Sequence, residues 1–307
     1  MKSLVNTYFE KDGEIKREDY FDNIFKLYQT EGHQYQLPLT FELQVMFGKK
    51  SVLDKTGDLS FNKLYSLSEN RDVFYMHSQN DLVNHLIKNN ITEFVDFSNY
   101  SCNFVSDDFK NLLKVIKNNA SDEGVTDAIS FENSEKRFVN DKCVLDFGVI
   151  RDINTMFDIE IETVGEECLF SGYPSSDKSE IMVSSGYIVG IAEKSAHKDI
   201  AWKFVETLLS EEVQGNIMSI SDSFNYSIPV SRTSFEKENK VRLGSFVTPL
   251  GRDVKIDIDS VESISEEARQ RSIIYTSPSK AFNLAGIHVA NALISNVELR
   301  EKFCMLA

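Results

Sequence analysis

Apolar residues recur at helical spacing in three stretches of the chain, and a start signal precedes each stretch. Ser78 and Asp81 form a capping pair before the first predicted helix, and Ser106 precedes the second. The third and longest helix is predicted over residues 196–214, with Ser195 as its cap. We expect three apolar stripes, one for each helix: Leu82, Val83, Leu86 and Ile87; Phe109, Leu112, Leu113 and Ile116; Ile200, Ala201, Phe204, Val205, Leu208, Leu209 and Val213.

Short runs rich in β-branched and aromatic residues predict strands between these helices. Residues 181–192 are predicted to form one or two strands that lead into the long helix. Shorter strands are predicted over 36–47, 94–97, 144–150 and 226–230, and loops over 119–143 and 231–260. Because strands and helices alternate along the chain, we expect an α/β architecture.

Composition indicates a folded, acidic protein of two domains or lobes. The chain has 307 residues, of which 41% are hydrophobic and 26% charged, as in ordinary globular domains. Its 33 basic and 48 acidic residues give a net charge of −15. A general binder of nucleic acid or of anionic membranes is therefore excluded, because either would need a surplus of Lys and Arg. The sequence predicts neither a signal peptide nor a transmembrane helix.

The cysteines and histidines do not form a recognisable metal site. The four cysteines are far apart with no C-x-x-C pair, and we expect isolated thiols that are mostly buried. His77 and His85 are eight residues apart, whereas two ligands on one helix face are four apart. No phosphate-binding glycine loop or nucleophile elbow occurs. Trp202, the only tryptophan, is expected to pack in the core.

Several short motifs follow one another in a fixed order. Gly32-His33-Gln34-Tyr35-Gln36-Leu37-Pro38 comes first, Gly172-Tyr173-Pro174 precedes Ser184-Ser185-Gly186-Tyr187, and the long helix is followed by Ile228-Pro229-Val230. This ordered set over residues 1–270 resembles the family 1 extracellular solute-binding proteins of ABC importers, which usually carry sugars or oligosaccharides.

The resemblance implies an α/β, periplasmic-binding-protein-like (type II) fold with two lobes that close over a ligand. It places an N-lobe remnant with a hinge strand in 1–40, the second lobe in 41–185, and the return crossing with N-lobe helices in 186–271. It also implies a sugar ligand, ABC permease subunits as partners, a location outside the membrane, a monomer, and no enzymatic activity.

A sugar presents hydroxyls that need polar partners and C–H faces that stack on aromatic rings. Beside the family's hinge strands, the candidate ligand contacts are Tyr173, Ser185, Tyr187 and Tyr100. For each of them the alternative is an ordinary packing or surface residue.

Members of this family normally begin with a secretion signal and a first α/β stretch, and this sequence has no match to either. We therefore expect an incomplete N-lobe and weak or absent affinity. We also expect a cytoplasmic location if the chain is expressed as given.

A second motif begins near residue 272. Thr276-Ser277-Pro278-Ser279-Lys280 and the residues after it are similar to the pyridoxal-phosphate lysine segment of class I/II aminotransferases, in the cystathionine β-lyase-like branch. The resemblance implies that Lys280 would form a Schiff base with pyridoxal phosphate and that Ser277 and Ser279 would lie near its phosphate. The family's Asn-Pro-x-Gly stretch has no match here, so we expect no catalysis.

Two hypotheses of different classes therefore remain. The first is a truncated, non-enzymatic solute-binding protein without a cofactor, which accounts for about 270 of the 307 residues. The second is a fragment of a pyridoxal-phosphate enzyme in 272–307, joined to the rest by a rearrangement as a short foreign C-terminal tail. Coverage favours the first hypothesis.

Overall fold

The computed structural model describes residues 15–56, 59–75, 77–121, 138, 143–159, 164, 168–177, 179–216, 227–243, 273–276 and 291–294. The chain divides into two compact units. Unit 1 comprises Met1–Leu43, Arg151–Ile153 and Val183–Ala307, and unit 2 comprises Gln44–Ile150 and Asn154–Met182.

The described strands are short, apart from β4. In chain order they are β1 (Gln29–Thr30), β2 (His33–Gln34), β3 (Gln36–Pro38), β4 (Thr40–Lys49), β5 (Val95–Asp96), β6 (Ser101–Cys102), β7 (Leu145–Ile150), β8 (Cys168–Ser171), β9 (Tyr173–Pro174), β10 (Ser179–Glu180), β11 (Met182–Ser184), β12 (Ile188–Gly190), β13 (Ile228–Pro229), β14 (Ile273–Thr276) and β15 (Asn291–Ile294).

One of the described helices, α4 (Gln79–Leu82), changes from α-helical to π and then to 3₁₀ geometry. The described helices are α1 (Asp22–Leu27), α2 (Lys50–Thr56), α3 (Phe61–Ser68), α4 (Gln79–Leu82, continued by a π turn Val83–Ile87 and a 3₁₀ turn Lys88–Asn90), α5 (Ile91–Phe94), α6 (Asp107–Asn119), α7 (Ile153–Asp158), α8 (Lys198–Leu209), α9 (Glu211–Asn216) and α10 (Arg232–Leu243), with a 3₁₀ turn at Arg17–Asp19.

In unit 1, antiparallel pairs join distant parts of the sequence. β3 pairs with β12, and the first residues of β4 pair with β13. The hairpin of β1 and β2 turns at Glu31 and Gly32, whose φ angles are 53° and 74°. Positive φ at both positions is what a two-residue type I′ turn requires.

Aromatic residues form part of the unit 1 core. Phe21 is fully buried and meets Phe41 and Phe235 edge-on, with ring centroids 5.8 and 5.4 Å away. Phe21 precedes α1, Phe41 belongs to β4 and Phe235 to α10, so the contacts join the beginning and the later part of the chain. The Tyr20 hydroxyl adds a hydrogen bond of 2.8 Å to the carbonyl of Leu209 at the end of α8.

Unit 2 packs its helices around the second half of β4. There β4 pairs with β7 and, antiparallel, with β8. The main apolar cluster of this unit consists of Met46, Leu53, Leu59, Phe61, Leu64, Val73, Phe74, Leu82, Leu86, Phe94, Leu112, Val115, Ile116, Val144 and Leu145. Burial of this set supplies the hydrophobic stabilisation of the unit.

Two of the predicted helix starts are confirmed. Ser78 and Asp81 form a reciprocal capping box at α4, and the Ser106 hydroxyl accepts a hydrogen bond of 3.3 Å from the backbone of Phe109 at α6. The strand predicted over 144–150 is present as β7, and 181–192 contains the two strands β11 and β12. Trp202 is buried as expected.

The long helix predicted over 196–214 is wrong in three respects. It is broken at Ser210, whose extended backbone (ψ 151°) separates α8 from α9. Ser195 does not cap it, because its hydroxyl bonds the backbone of His197 before the helix begins. Ile200 and Phe204 are 68% and 55% exposed, since the buried side of α8 carries Trp202, Val205 and Leu209 instead.

Four smaller expectations also need correction. Leu113 is 45% exposed, because α6 buries Val115 in its place. The strand predicted over 94–97 is reduced to β5, since Phe94 ends helix α5. The strand predicted over 36–47 is interrupted at Leu39. Residues 232–243, predicted as part of a loop, form α10.

The other sequence expectations have mixed outcomes. Cys143 and Cys168 are buried thiols, as predicted, and Cys102 is exposed. Cys304 and most of 119–143 lie outside the described residues.

Candidate functional site

A cluster of polar groups lies around Glu42 in unit 1. Glu42 interrupts the apolar residues of β4, and its side chain is 18% exposed. Its Oε1 atom accepts hydrogen bonds from Arg151 Nε at 3.3 Å and from Ser227 Oγ at 3.2 Å. The three residues are far apart in sequence, and the fold places a carboxylate, a guanidinium and a hydroxyl within one small region.

Ser185 and Tyr187 lie in the turn between β11 and β12 of the same unit. Ser185 is buried; its Oγ donates to the Tyr187 carbonyl at 3.1 Å and accepts from the Tyr187 backbone N–H at 3.3 Å. The Tyr187 carbonyl also accepts from the Leu39 N–H at 2.8 Å, which ties this turn to the junction of β3 and β4. Ser185 therefore holds the backbone of Tyr187, while the Tyr187 side chain is half-buried.

Glu42 also acts electrostatically on two tyrosines of unit 1. Burial raises the pKa of Tyr187, and the carboxylate of Glu42 raises it further. Burial likewise raises the pKa of Tyr28, with a smaller contribution from Glu42, while the Ser185 hydroxyl opposes the rise. Both phenols consequently keep their protons at neutral pH, and each can act as a hydrogen-bond donor. The cluster thus combines charged and neutral groups that can pair with the hydroxyls of an uncharged ligand.

Tyr173 lies inside unit 2. It is 3% exposed, and its hydroxyl forms a 2.9 Å hydrogen bond with Nδ1 of His85. The preceding residue has to be glycine for a steric reason. A Cβ atom at Gly172 would lie 2.0 Å from the carbonyl carbon of Glu180 on the paired strand β10. A glycine is therefore required before β9 for its close approach to β10, and the tyrosine that follows contacts a histidine of the same unit.

Tyr100 has a different environment at the surface of unit 2. It is 78% exposed and has a positive φ of 49°, at the end of the turn that joins β5 and β6. Asp96 organises this turn, because its Oδ1 accepts from the backbone N–H groups of Ser98 and Asn99 at 2.9 and 3.1 Å. The backbone thus presents the Tyr100 side chain outward.

Of the four predicted ligand contacts, the structure brings Ser185 and Tyr187 together in unit 1. Tyr173 and Tyr100 belong to the interior and the surface of unit 2. Their roles in ligand binding stay predictions. Lys280, Ser277 and Ser279 lie outside the described residues.

Sequence reasoning missed Glu42, Arg151 and Ser227. One signal was available, because Glu42 and Gln44 alternate with Phe41, Leu43 and Val45 and so mark a polar face on β4. Arg151 and Ser227 carry no comparable pattern, since only the packing of the strands brings them to Glu42.

The described part of the chain has neither a metal-binding group nor a membrane-spanning helix. Within it, no three His, Cys, Asp or Glu side chains are grouped so that they could hold a metal ion. Within the same residues, no helix combines the length and apolar character needed to cross a bilayer.

Comparison with solved structures identifies the fold. A solute-binding protein of an ABC transporter from Agrobacterium radiobacter K84, in complex with ribitol, aligns with a TM-score of 0.51 and 15% identity over 88% of this chain and 70% of its own. The sugar-binding protein MalE from Xanthomonas citri aligns with a TM-score of 0.50 and 16% identity over 86% and 70%. The chain has the type II periplasmic-binding-protein fold. At this level of sequence identity, the similarity shows the fold of the chain and does not identify its ligand.

The chain spans only part of the length of such proteins. It covers 62% of a solute-binding protein from Thermotoga lettingae TMO bound with α-D-tagatose, which aligns with a TM-score of 0.41 and 14% identity over 75% of this chain. No protein-family model and no curated protein matches this sequence.

Proposed function

We propose that this chain binds a neutral sugar or sugar alcohol as the solute-binding component of an ABC importer. The observation that carries the proposal is the cluster around Glu42, on a chain with this fold. A carboxylate, a guanidinium, a serine hydroxyl and the half-buried Tyr187 lie in one region of unit 1. Such a set can accept from and donate to several hydroxyl groups at once.

A neutral ligand is favoured by the charges of this cluster. The carboxylate of Glu42 and the guanidinium of Arg151 are bonded to each other, so their charges largely compensate. An anionic ligand would have to compete with Glu42 for Arg151, and a cationic ligand would have to compete with Arg151 for Glu42. Hydroxyl groups can bond to both without breaking the pair.

The remaining features of the proposal follow from the same class of protein. The partners would be the permease subunits of an ABC importer, and the working location would be outside the membrane. The chain would act as a monomer and would bind its ligand without chemical change.

Isothermal titration calorimetry of the purified chain with maltose, D-tagatose and ribitol tests the proposal. We expect at least one of these ligands to bind, and the Glu42→Gln variant to lose about 10-fold to 100-fold in affinity, because a hydrogen bond to a charged group is replaced by a neutral one. Glu211→Gln is the matched control, since Glu211 is an exposed carboxylate on α9 of the same unit. No binding to any of the three, or equal affinity of the Glu42→Gln and unaltered chains, would refute the proposal.

The lysine segment forms a separate hypothesis that rests on its resemblance alone. We propose that 272–307 derives from a pyridoxal-phosphate enzyme and has no catalytic activity in this chain. Borohydride treatment with pyridoxal phosphate, followed by peptide mass spectrometry, should leave Lys280 labelled no more than Lys194, which is exposed. Selective labelling of Lys280 would contradict the expected lack of activity.

A further inference from the structure

Three rings of unit 2 lie nearly parallel and close together. The His85 ring is 4.1 Å from that of Phe147 with an interplanar angle of 8°, and 5.9 Å from that of Tyr173 with an angle of 22°. The Phe147 and Tyr173 rings are 5.5 Å apart. His85 belongs to the π turn after α4, Phe147 to β7 and Tyr173 to β9. The imidazole therefore joins three separate elements of the unit.

A second histidine, His77, lies beside these three rings and is hydrogen-bonded to the carboxylate of Asp146. His77 Nε2 lies 2.6 Å from Oδ1 of Asp146, which is 4% exposed. The same Oδ1 accepts from the backbone N–H of Phe147 at 2.7 Å. The His77 ring is edge-on to His85, with centroids 6.2 Å apart. Asp146 is thus engaged by His77 and Phe147.

Four ionisable groups face His85 from the elements packed around it: His77, Asp146, Asp81 and Tyr173. Burial lowers the pKa of His85, the neighbouring His77 lowers it further, and Asp146 and Asp81 oppose this effect. Burial raises the pKa of Tyr173, and Asp146 adds to the rise. In neutral solution the hydrogen bond between them consequently joins a neutral imidazole to a neutral phenol.

The direction of that hydrogen bond depends on the proton count of His85. While the imidazole is neutral with its proton on Nε2, Nδ1 accepts the O–H of Tyr173. An imidazolium donates from both nitrogens, so Nδ1–H must then donate to the phenol oxygen. The phenol proton has to turn to another acceptor, in surroundings where Tyr173 is 3% exposed. Uptake of one proton therefore removes the arrangement that holds Tyr173 in this ring cluster.

We propose that His85 is a proton-sensitive switch of unit 2, in which protonation below neutral pH reverses the hydrogen bond to Tyr173 and loosens the packing of Tyr173 against Phe147. The switch is independent of the proposed ligand. His85 lies in the π turn after α4, and Tyr173 lies in β9. Protonation of His85 therefore alters the packing between these two elements.

Histidine and tyrosine NMR of the full chain between pH 5 and 8 tests the switch. A short histidine model peptide in the same buffer serves as the reference. We expect His85 to titrate at lower pH than a histidine model peptide in the same buffer, and the ring signals of Tyr173 to shift with the same midpoint as His85. The Tyr173→Phe variant should move the His85 midpoint upward, because it removes the donor that stabilises the neutral imidazole.

A second variant distinguishes the switch from general acid loosening. His85→Phe keeps a ring in the cluster and removes the titrating group, so the Tyr173 signals should become independent of pH over this range. Two results would overturn the proposal: a His85 midpoint equal to that of the histidine model peptide, or Tyr173 signals that move with pH in His85→Phe as they do in the unaltered chain.

Discussion

Replacing Gln214 by leucine tests how the later helices of unit 1 are held to its strands. Gln214 is 1% exposed. Its side-chain nitrogen donates to the carbonyls of Leu39 and Leu208 at 3.2 and 3.1 Å, and its oxygen accepts from the backbone N–H of Ser231 at 3.2 Å. One amide therefore joins the β3–β4 junction, α8 and the residue that precedes α10. Leucine has nearly the same volume and makes none of these bonds.

The size of the effect follows from which groups lose their partner. The Leu39 carbonyl also accepts from Val230 N–H at 3.4 Å, so it keeps one hydrogen bond. The Ser231 N–H loses the partner seen here, and a buried unpaired donor costs about 1–3 kcal/mol. With a smaller loss at the two carbonyls, we expect Gln214→Leu to lower the free energy of unfolding by about 3 kcal/mol in total.

Urea unfolding followed by circular dichroism measures this change, with thermal unfolding beside it. For a chain of this size, about 3 kcal/mol corresponds to a fall in Tm of roughly 5 °C. Asn216→Ala on the exposed side of α9 is the control and should change stability by less than about 0.5 kcal/mol. If Gln214→Leu were no worse than this control, the amide would not be holding these elements together and the reasoning would fail.

Three further predictions concern the two units separately. Gly172→Ala should destabilise unit 2 by more than about 2 kcal/mol in urea unfolding, because the new Cβ would meet the backbone of Glu180, whereas Gly186→Ala has open space and should be neutral. Ser78→Ala should cost about 1 kcal/mol through loss of the capping box at α4, and a matched Ser66→Ala on the exposed face of α3 should cost less. Burial, with a smaller contribution from Asp19, raises the pKa of Tyr20 to about 12, so the folded chain keeps this proton above pH 10 while the unfolded chain releases it. Stability should therefore fall as pH rises from about 10 towards 12, and Tyr20→Phe should flatten that slope in alkaline unfolding curves.

The candidate site shows how far residue patterns reach. Ser185 and Tyr187 are two positions apart, and their neighbourhood was visible in the sequence because one turn contains both. Arg151 and Ser227 lie 109 and 185 residues after Glu42 in the sequence. Only the pairing of the strands reveals that both form hydrogen bonds with Glu42. Neither Arg151 nor Ser227 belongs to a local sequence pattern that would indicate a binding site.

The histidines give the same lesson in unit 2. A spacing of eight residues argues against a metal pair on one helix face. That spacing says nothing of a ring contact, yet the π turn after α4 and the extended segment before it bring the two imidazoles to 6.2 Å. Contacts of this kind depend on where the backbone turns, which the local periodicity does not contain.

What the sequence determined by itself was local and additive. The caps at Ser78 and Ser106 and the strand β7 act through neighbours within a turn or a strand, and they were predicted correctly. The stripe predicted after Ser106 was correct only in part, because Leu113 is exposed. The tertiary structure alone decided the rest. It exposed Ile200 and Phe204 and buried Tyr173 against His85, because the burial of a side chain depends on which distant element packs over it.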